Sequence, residues 1–192
     1  MISYTLKYAT PPAWVDAVLN DFDHFLLDHA AAEKKASGMA ISMLSHYPDK
    51  TKLVEAMSDL AIEEMVHFRD VAKLIHQRGL ILAPDTKDDY INAFRKLMRK
   101  GTEVYFLDRL LVGSIVEARG CERFGLIADA LPSGELKKFY LAITESERRH
   151  DDLFLKLAYA YFDAEVIEPR LEELLLAEAN IVKALPIRAM LH

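Results

Sequence analysis

The chain has one cysteine in 192 residues, Cys121. That excludes an internal disulfide and any zinc or iron–sulfur site built from several thiolates. So thiol-poor a composition fits a reducing cytoplasm. Glycine and proline are also scarce, at seven each, which argues against a linker, a collagen-like repeat or a disordered tail. No apolar run approaches the roughly 18 residues needed to span a bilayer. Met1 to Thr10 lacks the charged and apolar regions of a secretory signal. No segment carries a strand pattern of any length. Basic residues do not dominate either: the net charge of -6 opposes strong nonspecific nucleic-acid binding, while leaving room for a local basic patch.

What remains is helix. About half of the residues are apolar (52%), enough for one ordered domain over 1–192 with a sizeable core. The organising stretch runs from Leu53 to Leu74. Reading every third or fourth position gives Leu53, Met57, Leu60, Glu64, His67, Val71 and Leu74. On a helix these share one face, the face that should be buried. A carboxylate and an imidazole therefore interrupt an apolar stripe at Glu-x-x-His spacing. Burying an ionised carboxylate costs several kcal/mol unless a partner compensates it, and a metal ion is such a partner. The device recurs in Leu136, Tyr140, Ile143, Glu147, His150, Phe154, Leu157 and Tyr161, with Glu147-x-x-His150 at its middle. A single pair of this kind is well explained as a satisfied core pair. Two, each centred on a long amphipathic helix, point to a site.

The other segments supply matching carboxylates. Thr10-Pro11-Pro12 reads as a cap followed by one long helix to about Tyr47, whose stripe Val15, Val18, Phe22, Leu26, His29, Glu33, Ala36, Ala40, Met43, Leu44 contains Glu33 as its only acid. Asp16, Asp21, Asp23 and Asp28 fall off that stripe and read as solvated. Pro48-Asp49 breaks the helix and caps the next, about Lys50 to Arg78, which closes on Gly79. A shorter helix follows from Thr86 to Lys100, closed by Gly101. Its Arg95, Lys96, Arg99 and Lys100 are the densest basic cluster, read either as a solvated helix end or as a phosphate contact. A third long helix, about Glu103 to Ala130, places Glu117 mid-face between Gly113 and Gly120. Interior glycines cost up to about 1 kcal/mol each, so close packing or room for a ligand is the expected compensation. Pro132-Ser133-Gly134 turns into the fourth long helix, about Glu135 to Tyr161. A final amphipathic helix is expected after Glu168-Pro169.

Glu33 precedes Glu64 by 31 residues and Glu117 precedes Glu147 by 30, so the chain reads as a duplication. Each half is a helix with one buried Glu, then a helix with Glu-x-x-His. The architecture predicted is all-α: a ferritin-like four-helix bundle with an additional helix between the halves and one at the C-terminus. Four carboxylates and two imidazoles suit a pair of iron or manganese ions bridged by carboxylates, with positions left open for dioxygen. Zinc would fit the donors but is redox-silent.

Competing residues are weighed on the same wheel. Glu63 and Glu145 fall off the stripes. Glu122 rivals Glu117, since Ile115, Ala118, Glu122 and Leu126 also share a face. The duplication spacing favours Glu117, leaving Glu122 to pair with Arg119 or Arg123 or to support a ligand. His29, one turn before Glu33, reads as a supporting or core residue. His24, His46, His76 and His192 belong to no constellation and read as surface residues. Cys121 reads as packing, with a redox role as the alternative, and Tyr140 as a core aromatic.

Three strings give the chain a likeness: Pro11-Pro12-Ala13-Trp14-Val15, Ile115-Val116-Glu117-Ala118-Arg119-Gly120-Cys121-Glu122-Arg123-Phe124, and Glu145-Ser146-Glu147-Arg148-Arg149-His150. Together they resemble the bacterial tRNA hydroxylases that act on 2-methylthio-N6-isopentenyl adenosine, and the likeness covers nearly the whole chain. The resemblance implies a di-iron monooxygenase that uses O2 to hydroxylate a terminal carbon of the isopentenyl group. It implies Glu33, Glu64, His67, Glu117, Glu147 and His150 as ligands and as the catalytic set through the metal. His29, Glu122 and Arg119 are then candidates for support behind the ligands. Arg95, Lys96, Arg99, Lys100 and Arg123 are candidates for tRNA contact, with Arg119 beside them. The partners implied are tRNA and an external electron donor, a reductase or a ferredoxin-like protein, with no membrane. The alternatives are another ferritin-like di-iron oxidase or peroxidase, or a non-catalytic iron-storage protein.

Overall fold

The computed structural model describes residues 4–192; residues 1–3, part of the stretch read against a secretory signal, lie outside the described residues. Seven helices form among the described residues and no strand. They are α1 Pro12–Asn20, α2 Phe22–His46, α3 Thr51–Gln77, α4 Asp89–Leu97, α5 Thr102–Ala130, α6 Glu135–Tyr161 and α7 Ala164–Ala184. None is long and apolar enough to cross a membrane. Packing divides the chain into two compact units. One comprises residues 16–86 with 187–191, and the other residues 87–186 with His192 and the leading segment up to Val15.

In the first unit, α2 and α3 pack side by side. The short connection between them makes the pair antiparallel. Phe25, Leu26, Ala30, Ala40 and Met43 of α2 and Leu53, Met57, Leu60, Val71 and Ile75 of α3 are buried. Ser37 Oγ donates to the Ala61 carbonyl at 2.8 Å and pins the crossing. The single helix expected from Thr10 to Tyr47 is broken at Asp21. Its side chain accepts from the His24 amide at 3.4 Å, and its backbone leaves helical geometry at φ -139 and ψ 58. Aspartate competes for local backbone groups in this way and so favours a cap over a helix interior. The apolar stripe continues across the break, so periodicity alone does not reveal it. Two other expected caps are corrected. Thr10 gives its amide and hydroxyl to Glu122, at 2.9 and 2.7 Å, and does not cap α1. Lys50, without a side-chain cap bond, precedes α3, while Asp49 faces the Lys50 ammonium. Gly79 does close α3: at φ 75 it takes the left-handed conformation while Leu80 N–H reaches the Ile75 carbonyl and Gly79 N–H that of His76.

In the second unit, α5 and α6 form the matching pair, and α7 packs on α4, α5 and α6. α4 is shorter than the expected Thr86 to Lys100. Asp88 caps it by accepting from the Ile91 amide at 3.0 Å, and beyond Leu97 the Arg99 amide is taken by Asp108 at 2.7 Å. Gly101, at φ 121, opens α5 instead of closing α4. Pro169 lies inside α7, not ahead of it. It costs only the amide that would have bonded the Glu165 carbonyl, close to the helix start. His192, expected at the surface, stacks on Tyr90 at 4.5 Å between ring centroids and approaches Asp88 Oδ2 at 3.2 Å.

Buried charge ties this unit together. Arg119, fully buried, donates to Glu178 at 2.8 and 3.0 Å, to the Tyr8 carbonyl at 2.7 Å and to Glu122. Tyr90 OH adds a bond to Glu178 at 3.2 Å. One side chain thus joins α5 to α7 and to the leading segment. Glu178→Ala leaves a guanidinium buried opposite an apolar gap, and removing one partner of such a pair costs about 3–5 kcal/mol. Urea unfolding should show that loss for Glu178→Ala, and a midpoint unchanged from the wild type would remove the network from the account of stability.

Candidate metal centre

Each unit carries one set of donors. In the first, α2 presents Glu33 and α3 presents Glu64 and His67, the latter pair one helical turn apart on the buried face. His67 Nδ1 lies 3.6 Å from Glu33 Oε2 and 3.4 Å from Glu64 Oε2. In the second, α5 presents Glu117 and α6 presents Glu147 and His150. His150 Nδ1 lies 4.0 Å from Glu117 Oε2 and 3.8 Å from Glu147 Oε2. Within each set, ligand atoms of the three side chains lie within 4.8 Å of one another. All six side chains are buried. The spacing Glu-x-x-His aims both groups of a helix at one point, and the lone Glu of the neighbouring helix meets them there.

Electrostatics agrees with a cation-binding role. Burial opposes charging His67, yet hydrogen bonding and attraction to Glu33 and Glu64 push its pKa up to about 10. In the absence of another cation, a proton therefore occupies the imidazole. A metal ion held by these residues would take the place of that proton. The donors are carboxylate oxygens and imidazole nitrogens with no thiolate. That set suits iron or manganese.

The neighbours of the two sets differ. His29 Nε2 lies 2.6 Å from Glu33 Oε1, both side chains buried, so the imidazole orients the carboxylate from behind. The corresponding position one turn before Glu117 is Gly113. A Cβ there would meet the Phe154 ring at 2.9 Å, so the ring of α6 lies directly against the α5 backbone. Gly120 is less constrained: a Cβ would lie 3.8 Å from Glu147 Oε2, an ordinary contact.

Other sequence candidates fall elsewhere. Glu122 binds Thr10 and Arg119, and Glu145 is exposed and pairs with Arg148 at 2.8 Å. Arg119 serves the Glu178 network, and no bond to Glu117 or Glu147 accompanies it. Arg123 is buried with its guanidinium 4.9 Å from the Trp14 ring, where burial and the neighbouring Arg119 lower its pKa to about 10. Burial against Trp14 leaves Arg123 little surface to offer a tRNA phosphate. Arg99 is half-exposed but binds Asp108 through its amide, Nε and a terminal nitrogen. Arg95, Lys96 and Lys100 are exposed. Cys121 is half-buried, its Sγ 3.4 Å from the Thr144 carbonyl, and burial raises its thiol pKa.

Sequence reading missed one group beside the second set. Tyr4 OH donates to Asp151 Oδ1 at 2.6 Å and lies 2.7 Å from Ser114 Oγ, which itself bonds Asp151 Oδ1 at 2.6 Å. Burial, then the Asp151 charge, raises the Tyr4 pKa, and burial raises that of Asp151. Ser114 sits one turn before Glu117 and Asp151 directly follows His150, so the bonds fasten both ligand-bearing helices to the leading segment. The available signal was Asp151 next to His150. Tyr4, far away in sequence, gave none.

The sequence matches the family described as tRNA-(MS[2]IO[6]A)-hydroxylase (MiaE) over residues 1–192. The chain belongs to this family. A tRNA 2-(methylsulfanyl)-N(6)-isopentenyladenosine(37) hydroxylase from Pseudomonas putida is 38% identical over 175 residues, covering 91% of this chain and 85% of the relative. The like-named protein from Salmonella typhimurium is 29% identical over 185 residues, covering 92% and 67% respectively. Among solved structures, a Synechococcus protein described as having aldehyde deformylating oxygenase activity matches with a TM-score of 0.92 at 35% identity, over 97% of this chain and 93% of that one. The fold class is thus the ferritin-like helical bundle, with α4 between the two long pairs and α7 at the end. As a member of the MiaE family the chain is a tRNA hydroxylase, an oxidoreductase.

The Gly113 contact is open to a direct test. In this MiaE-family protein, Gly113→Ala drives a Cβ into a packed aromatic ring, and overpacking of this kind costs about 1–3 kcal/mol. Thermal unfolding should register the loss and Phe154→Leu should restore it in the double variant. Full stability of Gly113→Ala alone would show that the ring gives way freely.

Proposed function

We propose that this protein is a di-iron monooxygenase that hydroxylates the isopentenyl group of 2-methylthio-N6-isopentenyl adenosine in tRNA. The observation that carries the reading is the repeated set: one Glu on the first helix of each pair and Glu-x-x-His on the second, buried, inside a chain matched end to end by the MiaE family. Glu33, Glu64 and His67 with Glu117, Glu147 and His150 would hold two iron ions. Bound iron supplies activation of O2 and the transfer of one oxygen atom to carbon. His29 orients the Glu33 carboxylate through its 2.6 Å contact. The Tyr4, Ser114 and Asp151 bonds steady the helices that carry Glu117 and His150. Arg95, Lys96 and Lys100 take tRNA phosphates, while Arg99 braces their loop. Two electrons per turnover come from a separate reductase or ferredoxin-like donor. The protein works in the cytoplasm as a single functional domain over 1–192. The Synechococcus neighbour, with its named oxygenase activity, supports oxygen chemistry on this fold but acts under a different name.

Glu64→Ala or Glu147→Ala should abolish iron binding and hydroxylation together, and normal iron content in either would refute the ligand assignment. His29→Ala should weaken iron binding by about 10- to 100-fold without unfolding the protein, the usual cost of losing a residue that orients a ligand. Equilibrium metal titration reads both. The deciding experiment is nucleoside analysis of tRNA from cells with and without the protein. Loss of the hydroxylated nucleoside in its absence, restored by wild type and not by Glu64→Ala, is the expected result. An unchanged profile in a host that makes the prenylated precursor overturns the reading.

A further inference from the structure

We propose that tRNA docks on the corner where α4 passes into α5, with the Tyr105 ring as a stacking platform for an unpaired base and Arg95, Lys96 and Lys100 as the flanking phosphate contacts. The proposal rests on the tRNA hydroxylase reading and adds where and how the substrate is held.

Charge singles out this corner in an acidic protein. Many exposed cations elsewhere face carboxylates: Lys34 meets Asp85 at 2.8 Å, Lys73 meets Asp70 at 2.7 Å, Arg78 meets Asp23 at 2.5 Å and Lys138 meets Glu135 at 2.7 Å. Lys52 and Lys87, unpaired among the described residues, are not clustered with other free cations beside an exposed ring. Among the described residues, Arg95, Lys96 and Lys100 form no such pair. Their charge is left for an outside anion. Phosphate neutralisation by cations of this kind supplies most of the affinity for nucleic acid.

The corner is also stiff and carries exposed apolar surface. Asp108, fully buried, accepts the Arg99 amide and guanidinium and the Arg170 guanidinium, at 2.7 to 3.2 Å. The turn between the helices is thereby fixed from within. Tyr105 is 42% exposed, and Leu97 and Val104 on the same stretch of chain are exposed as well. Tyr90 and Tyr140, by contrast, are buried. Tyr105 makes no ring contact and no hydrogen bond among the described residues. An exposed aromatic ring flanked by unpaired cations is the combination that binds single-stranded nucleic acid, the ring stacking on a base while the cations follow the backbone. An acidic protein partner would use the cations but has less need of the ring.

Distance agrees with a loop held away from its reacting base. Tyr105 and Glu117 are 12 residues apart on α5, about 18 Å along the axis. At about 3.4 Å per stacked nucleotide, that separates the platform from the modified nucleoside by roughly five positions. The site therefore sits far enough from the donors to govern binding without touching the metal.

The test is fluorescence anisotropy of the intact, iron-loaded protein with prenylated, methylthiolated tRNA across a salt series, each variant first checked for iron content and thermal unfolding. Tyr105→Ala should weaken binding about tenfold, and Tyr105→Phe, which keeps the ring, should bind as wild type. Arg95→Ala, Lys96→Ala and Lys100→Ala combined should reduce the slope of log affinity against log salt by about two to three. Wild-type affinity and slope in these variants overturn the proposal. So does normal tRNA binding combined with slowed reduction by an acidic electron-transfer protein, which would give the corner to the electron donor. Hydroxylation of the same tRNA, with O2 present and a chemical reductant supplying the two electrons, separates the two ideas. A wild type that binds through this corner without oxidising refutes the enzymatic reading alone, and a hydroxylating wild type with indifferent corner variants refutes the docking surface alone.

Discussion

The constraint on which this structure turns is the cost of withdrawing carboxylates from water. Glu33, Glu64, Glu117 and Glu147 are all nearly inaccessible. A buried carboxylate needs either a fixed cation or a proton, and the protein supplies an imidazole beside each pair of acids. His67 answers by holding its proton far above the ordinary imidazole range. Such an arrangement leaves buried carboxylate and imidazole atoms short of hydrogen bonds, and a divalent ion would offer both acids more than one proton can. Helix length, antiparallel pairing and apolar stripes all serve to bring those side chains to the middle of long helices, where solvent does not reach.

A different logic governs the remaining buried charge. Arg119 with Glu178, and Asp108 with Arg99 and Arg170, are matched cation to anion through several directed bonds. These groups are closed: their hydrogen-bonding capacity goes to each other and to the backbone. They hold α7 and the leading segment on α5 and the α4–α5 turn in place. The contrast between closed pairs and acid-rich sets separates structural charge from chemical charge in this chain. It also explains why Glu122, an attractive candidate by position, has no part among the donors: Thr10 and Arg119 already occupy both of its oxygens.

Much of this was legible in the sequence because helical periodicity carries it. The 3.6-residue repeat located α3, α5 and α6 to within a residue or two and separated Glu64 from Glu63 and Glu147 from Glu145. It failed where a local bond overrides periodicity. Asp21 breaks a helix whose apolar stripe runs on unbroken, and Pro169 sits inside a helix because it falls near the start, where one lost bond is tolerated. It failed also where contacts join distant residues. Nothing near Arg123 in sequence indicates that it packs over Trp14, and nothing near Tyr4 indicates Asp151. Arg119 and Arg123, offered as candidates for tRNA contact, are held by contacts to the leading segment that no spacing rule encodes. The pairing of Arg119 with Glu122, three residues on, was within reach of the sequence.

The unequal surroundings of the two donor sets have a consequence of their own. Behind Glu33 stands His29, a directional bond; at the matching place on α5 there is only Gly113 and the flat of Phe154. The two similar donor sets are thus finished differently, by a hydrogen bond behind Glu33 and by close packing ahead of Glu117. The first half depends on the direction of one hydrogen bond. The second is tuned by volume and would drift with a single methyl group. Placing a histidine at Gly113 would consequently not yield a more symmetric protein, because the Phe154 ring already fills the room that the imidazole would need.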